Sequence, residues 1–123
     1  MHDSSSRIRT ISDLDEALSR PTTGVLETLR RVPGDIMVLG AGGKMGPTLA
    51  MMVRRAFDMI GMPERRVFAV SRFSSSTVRD SLQRSGVTTI SAPAAAPRRY
   101  ASRIFRSFPA MSPTVVLICA RAI

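Results

Sequence analysis

What this chain has little of narrows its chemistry first. A single cysteine, Cys119, excludes a disulfide framework and fits a reducing compartment. With His2 as the only histidine, a structural zinc site cannot be assembled either. His2 sits in a polar N-terminal stretch, so Ser-His-Asp and Cys-His catalysis lack a base. Tryptophan is absent, and tyrosine occurs once, at Tyr100. No apolar run approaches the ~20 residues of a membrane-spanning helix. The opening Met1-His2-Asp3-Ser4-Ser5-Ser6 has no apolar core of a secretory signal. The expected location is the cytoplasm, without a membrane partner.

Acidic residues are scarce and unevenly spread. The chain carries 18 basic and 9 acidic residues, a net charge of +9. Every acid lies at or before Asp80; from Ser91 onward there are Arg98, Arg99, Arg103, Arg106 and Arg121 and no carboxylate. Such a balance suggests an anionic partner. No helix-turn-helix, zinc or aromatic RNA-binding signature accompanies it, so nucleic acid is not the expected ligand. Asp15-Glu16 reads as a solvated pair on a surface helix, and Cys119 as a small buried residue within Thr114 to Ala120.

What is present is concentrated between Ile36 and Gly46. The apolar run Ile36-Met37-Val38-Leu39 leads into Gly40-Ala41-Gly42-Gly43-Lys44-Met45-Gly46. Four apolar residues without alternation predict a strand covered on both faces. Downstream, Met45, Leu49, Met52, Val53, Ala56, Phe57 and Ile60 share one helical face, with Pro47 in the first turn and Gly61 and Pro63 beyond the end. A strand that delivers a glycine turn to a helix N-terminus is the arrangement that binds a dinucleotide pyrophosphate. Gly40 lets the chain turn off the strand. Gly42 and Gly43 leave bare backbone for phosphate oxygens, and Gly46 lets the helix pack closely on the strand. Lys44 adds positive charge nearby or is solvated. A P-loop does not fit, because Met45 stands where Ser or Thr is needed and Val38 where the first glycine is needed.

The spacing Gly40-x-x-Gly43-x-x-Gly46, with the elements from Gly34 through about Ile90, resembles the NAD(P)-dependent epimerase/dehydratase family of the extended short-chain dehydrogenase/reductase superfamily. The resemblance covers a little under half of the chain. It implies an α/β fold, a partial Rossmann-like doubly wound parallel sheet of about four strands, which the residue pattern precedes with two short helices. It also implies a nicotinamide dinucleotide at Gly40, Gly42, Gly43, Lys44, Met45 and Gly46. After the second strand, Arg66 to Val70, the chain reads Ser71-Arg72-Phe73 where an NAD-preferring member has an acid for the ribose. With no carboxylate to repel a 2′-phosphate and Arg72 able to pair with one, NADP is favoured over NAD.

The chain departs from the family in two places. The family's tyrosine followed four residues later by a lysine cannot form here: Ile104 stands four residues after Tyr100, and Lys44 is the only lysine. No catalytic residue is therefore assigned. The acid expected after the third strand is also missing, since Thr88-Thr89-Ile90 runs into an Ala- and Pro-rich stretch. Residues 91–113 read as altered by frame error or drift, or as a basic amphipathic helix over Pro97 to Phe108. Members of the family are considerably longer, so the chain reads as their truncated cofactor-binding part.

The expected organisation is an N-terminal arm (1–10), helices from Ser12 to about Arg20 and from Thr23 to Arg31, and the nucleotide-binding unit (34–123). Ser12 with Asp15 predicts a capping box. Pro33-Gly34 marks a turn. A helix from Thr77 to Arg84 and strands Val87 to Ile90 and Thr114 to Ala120 complete the unit. The last strand would form an open edge beside the first, inviting self-association or a partner chain. Three functions compete: the dinucleotide-binding part of an epimerase/dehydratase-like oxidoreductase, a non-catalytic nucleotide-binding or regulatory module, and a basic interaction protein.

Overall fold

The computed structural model describes residues 7–43, 45–91 and 115–119. Two helices come first, α1 (Ile11–Leu18) and α2 (Thr23–Arg31). Strands and helices then alternate: β1 (Asp35–Leu39), α3 (Gly46–Met59), β2 (Val67–Ser71), α4 (Ser76–Arg84) and β3 (Thr88–Ser91), followed by β4 (Val115–Cys119). All pairings are parallel, in the order β3-β2-β1-β4. The protein is α/β with a parallel sheet, consistent with a partial Rossmann-like fold. His2, Lys44, Tyr100 and the stretch 92–114, with the helix expected over Pro97 to Phe108, lie outside the described residues.

The strand β1 is buried along its whole length, as an unalternating apolar run requires. Its side chains divide by parity. Ile36 and Val38, with Val67 and Ala69 of β2, meet Leu29 of α2, Ala50, Val53, Ala56 and Phe57 of α3, and Leu82 of α4. Met37 and Leu39, with Phe68 and Val70, form a second buried cluster on the opposite face, joined by Ile90. Full burial of Phe57 or Phe68 contributes roughly 2–3 kcal/mol each. The helices α3 and α4 both close on a left-handed glycine. At Gly61 (φ +74°) the Met62 amide returns to the Phe57 carbonyl at 2.9 Å, and after Gly86 (φ +88°) the Val87 amide returns to Leu82 at 3.0 Å.

Three expectations shift. The first helix starts before Ser12. Thr10 is its cap: its hydroxyl accepts from the Asp13 amide, and the Asp13 carboxylate accepts from the Thr10 and Arg9 amides, each at 3.0 Å. Thr10-x-x-Asp13 satisfies the same pattern as Ser12-x-x-Asp15, and starting earlier adds Ile11 to the helix. This helix also stops at Leu18, before Pro21 constrains Arg20. Met45 does not join the buried face of α3. It is the N-cap residue, outside the helical repeat, and is 76% exposed. Arg54 takes a buried place on that helix instead.

Arginines join the N-terminal helices to the rest. Arg65 donates from Nε to the Gly34 carbonyl (2.6 Å), from Nη1 to Leu29 (2.6 Å) and from Nη2 to Val32 (2.7 Å), and its guanidinium lies 4.1 Å from the Phe57 ring centroid. It thus binds carbonyls left open at the C-terminal end of α2. Burial lowers the Arg65 pKa, and the nearby charges of Asp35 and Glu64 act in the opposite sense. Arg54 donates to the Arg65 carbonyl (2.7 Å), the Pro63 carbonyl (3.2 Å) and Asp58 (2.9 Å). Arg55 holds α1 through the Glu16 carboxylate (2.5 Å) and the Ser19 hydroxyl (2.8 Å).

Candidate functional site

The site is set by topology. From β1 through β2 to β3 the chain steps one way across the sheet, while β4 lies on the other side of β1. The winding therefore reverses between β1 and β4. In open parallel sheets, ligands bind beyond the carboxyl ends of the strands at such a reversal. Gly40 to Met45 leaves β1 at this end, and the register pairs Leu39 with Cys119, so the end of β4 runs alongside the turn.

Gly40 has φ +76°, a left-handed conformation that only glycine adopts without cost. Its amide donates to the Val70 carbonyl at 2.8 Å, and the Ala41 amide reaches the same oxygen at 3.2 Å. The Gly43 amide closes the turn onto the Gly40 carbonyl at 3.1 Å. Gly42 and Gly43 are exposed. At Gly42 a second constraint appears: an added Cβ would collide with the Ser71 hydroxyl. Gly46 is buried, and a Cβ there would lie 2.5 Å from the Ala41 Cα and 2.7 Å from its carbonyl carbon and oxygen. Only glycine lets α3 begin this close to the turn.

The N-terminus of α3 lacks a side-chain cap. The Met45 side chain makes no cap bond, Pro47 has no N–H, and the Thr48 hydroxyl donates back to the Met45 carbonyl at 3.1 Å. Helix geometry gives the amides of Gly46 and Thr48 no partner within α3. The exposed glycine turn and the positive end of a 14-residue helix dipole therefore face one way at one place. The helices α1 and α2 are capped by Thr10 and Thr22 hydroxyls, whereas α4, like α3, starts without a side-chain cap bond.

The end of β2 borders this turn. Ser71 is half-buried beneath Gly42, Arg72 is exposed, and Phe73 is half-buried with φ +47°. No acid occurs in the turn, at the end of β2 or at the end of β3. Asp35 opens β1 at the opposite end of the sheet, where its carboxylate accepts from the Arg66 amide at 2.8 Å. The structure thus brings Gly40, Gly42, Gly43, Met45, Gly46, Ser71 and Arg72 to one edge of the sheet, while Lys44 lies outside the described residues. Among the described residues no group of three or more His, Cys, Asp or Glu is arranged to hold a metal ion, and no helix is long and apolar enough to cross a membrane.

Sequence reasoning passed over two features of the site. One is the contact between Ser71 and the Gly42 position, which couples residues 29 apart and leaves no local signal. The other is the backbone of Phe73, since glycine and asparagine, not phenylalanine, mark left-handed positions. Compared with known proteins, the chain matches no family model and no curated protein.

Proposed function

We propose that this protein binds a nicotinamide dinucleotide at the glycine turn, in a partial, doubly wound Rossmann-like domain of the epimerase/dehydratase kind. The observation that carries the reading is the uncapped start of α3 beside exposed Gly42 and Gly43, at the point where the sheet reverses its winding. The diphosphate lies over the amides of Gly42, Gly46 and Thr48, with Lys44 adding charge. The adenosine half extends toward Ser71 and Arg72. NADP binds more tightly than NAD, because Arg72 pairs with the 2′-phosphate and no acid opposes it.

Calorimetric titration with both dinucleotides tests this. NADP is expected to bind the tighter of the two, and Arg72→Ala to cost NADP about tenfold in affinity while leaving NAD nearly unchanged. Equal affinities untouched by the substitution end the NADP preference. If neither nucleotide binds folded protein at millimolar concentration, the whole proposal fails.

The tyrosine and lysine that would handle a proton are missing from the sequence, which supports dinucleotide binding without turnover by this chain alone, or a non-catalytic regulatory module. A panel of sugar-nucleotide and hydroxy substrates with NADP is expected to give no hydride transfer. We further propose that β4, which among the described residues pairs only with β1, is where a second copy or a partner chain adds to the sheet.

A further inference from the structure

The helix α1 is amphipathic, but it stands on the body of the protein by its polar side. Arg55 of α3 holds it through the Glu16 carboxylate and carbonyl and the Ser19 hydroxyl. No residue of α1 is buried, and none joins either core cluster. At ~100° per residue, Ile11, Leu14 and Leu18 fall within about 60° of one another, on the side away from Glu16 and Ser19. With Ile8 just before the cap they form an outward stripe: Ile8 is 54% exposed, Ile11 80%, Leu14 41% and Leu18 50%. Large apolar side chains aligned on one exposed face mark an interaction surface.

We propose that this stripe is a contact between two copies of the chain, an isologous pairing of α1 with α1, separate from the edge at β4. The stripe is self-complementary. Asp13 is its midpoint, with Ile8 and Ile11 before it and Leu14 and Leu18 after it. A two-fold axis beside Asp13 makes the second α1 antiparallel and sets Ile8 against Leu18 and Ile11 against Leu14 of the other copy. The charges follow the same symmetry. Arg7 and Arg9 precede the midpoint and Asp15 follows it, and among the described residues none of these three side chains forms an ion pair. The last turn of α1 carries no basic residue. An antiparallel copy brings its Arg7 and Arg9 to Asp15 and to that negative helix end. The stripe exposes an apolar patch on the order of 400 Å² per copy. Pairing then removes on the order of 800 Å² from water, less than the ~1,200 Å² of a stable complex. The dimer is therefore weak, with a dissociation constant on the order of 100 µM.

Sedimentation equilibrium between about 10 µM and about 1 mM tests the contact. The wild-type chain is expected to pass from monomer to dimer across that range. Ile11→Glu alters a side chain that stands in water, so the fold is kept, as circular dichroism checks. Its dimerisation should weaken by about tenfold or more. Asp15→Arg should weaken pairing about threefold. Arg7→Asp/Arg9→Asp/Asp15→Arg, which exchanges the signs on both sides of the midpoint, should restore it. A wild-type chain that stays monomeric throughout, Ile11→Glu that associates like the wild type, or Asp15→Arg that changes nothing overturns the pairing. Association that persists in Ile11→Glu then belongs to another surface, such as β4. Binding of the dilute wild-type chain, but not of Ile11→Glu, to phosphatidylglycerol vesicles assigns the stripe to a lipid surface and overturns the pairing as well.

Discussion

The glycines of the turn differ in what they tolerate, and single substitutions separate their roles. Gly46→Ala drives a Cβ into the backbone of Ala41, which cannot rotate away. It is expected to cost about 3 kcal/mol in denaturant unfolding. Gly61→Ala meets no atom within 4 Å but must hold φ +74°, and should cost about 1 kcal/mol. Gly42→Ala is a third case, because the obstacle is the hydroxyl of Ser71, a side chain. Removing that hydroxyl should relieve part of the clash. The double variant Gly42→Ala/Ser71→Ala is therefore expected to be more stable than the sum of the single changes predicts, read as a non-zero coupling in a double-mutant cycle.

Among the elements, the two N-terminal helices are integral to the fold, and arginines make them so. Arg65→Ala strips donors from the Leu29, Val32 and Gly34 carbonyls together. Unfolding is expected to become easier by about 3 kcal/mol, and Arg65→Lys should recover little, because one ammonium cannot reach three divergent acceptors. The helix α1 depends on pH. The backbone amide of Arg9, then the hydroxyl and amide of Thr10, hold the Asp13 carboxyl below its usual range. Arg55 does the same for Glu16, by hydrogen bond and by charge. Both carboxylates are depressed in the folded state, so what they contribute is present above about pH 4 and is lost as pH falls through their lower folded values. Amide signals of α1 followed by NMR should show it loosening in that acid window, and Glu16→Gln should flatten the profile. The sequence announced the end of α2 and the closure of α3 through Pro33-Gly34 and Gly61, because prolines and glycines act locally. Arg54 and Arg65 were illegible there. A guanidinium reads as surface until long-range carbonyls, 31 to 36 residues away in the case of Arg65, are known to converge on it.

For the whole molecule, β1 and β2 were legible because a strand buried on both faces must be continuously apolar, and few other segments are. β3 was less so, being polar and half-covered, and it starts one residue later than the apolar Val87 suggests. The glycine turn was visible as a pattern, but its fastening to β2 was not, since hydrogen bonds from Gly40 and Ala41 to Val70 join distant parts of the chain. Two bulk measurements follow. At a hundredfold excess over its dissociation constant, NADP should add about 2.7 kcal/mol and raise the melting temperature by roughly 10 °C. Light scattering is expected to detect self-association that increases with concentration, whereas a monodisperse monomer would count against pairing at β4. One carbonyl, that of Val70, accepts from both Gly40 and Ala41. Deuterium should therefore enter those two amides slowly, although their neighbours Gly42 and Gly43 are open to solvent. It also means that a loop grafted after β2 from another protein would have to bring a matching loop after β1, because the two are spliced at a single oxygen and inherit as one cassette.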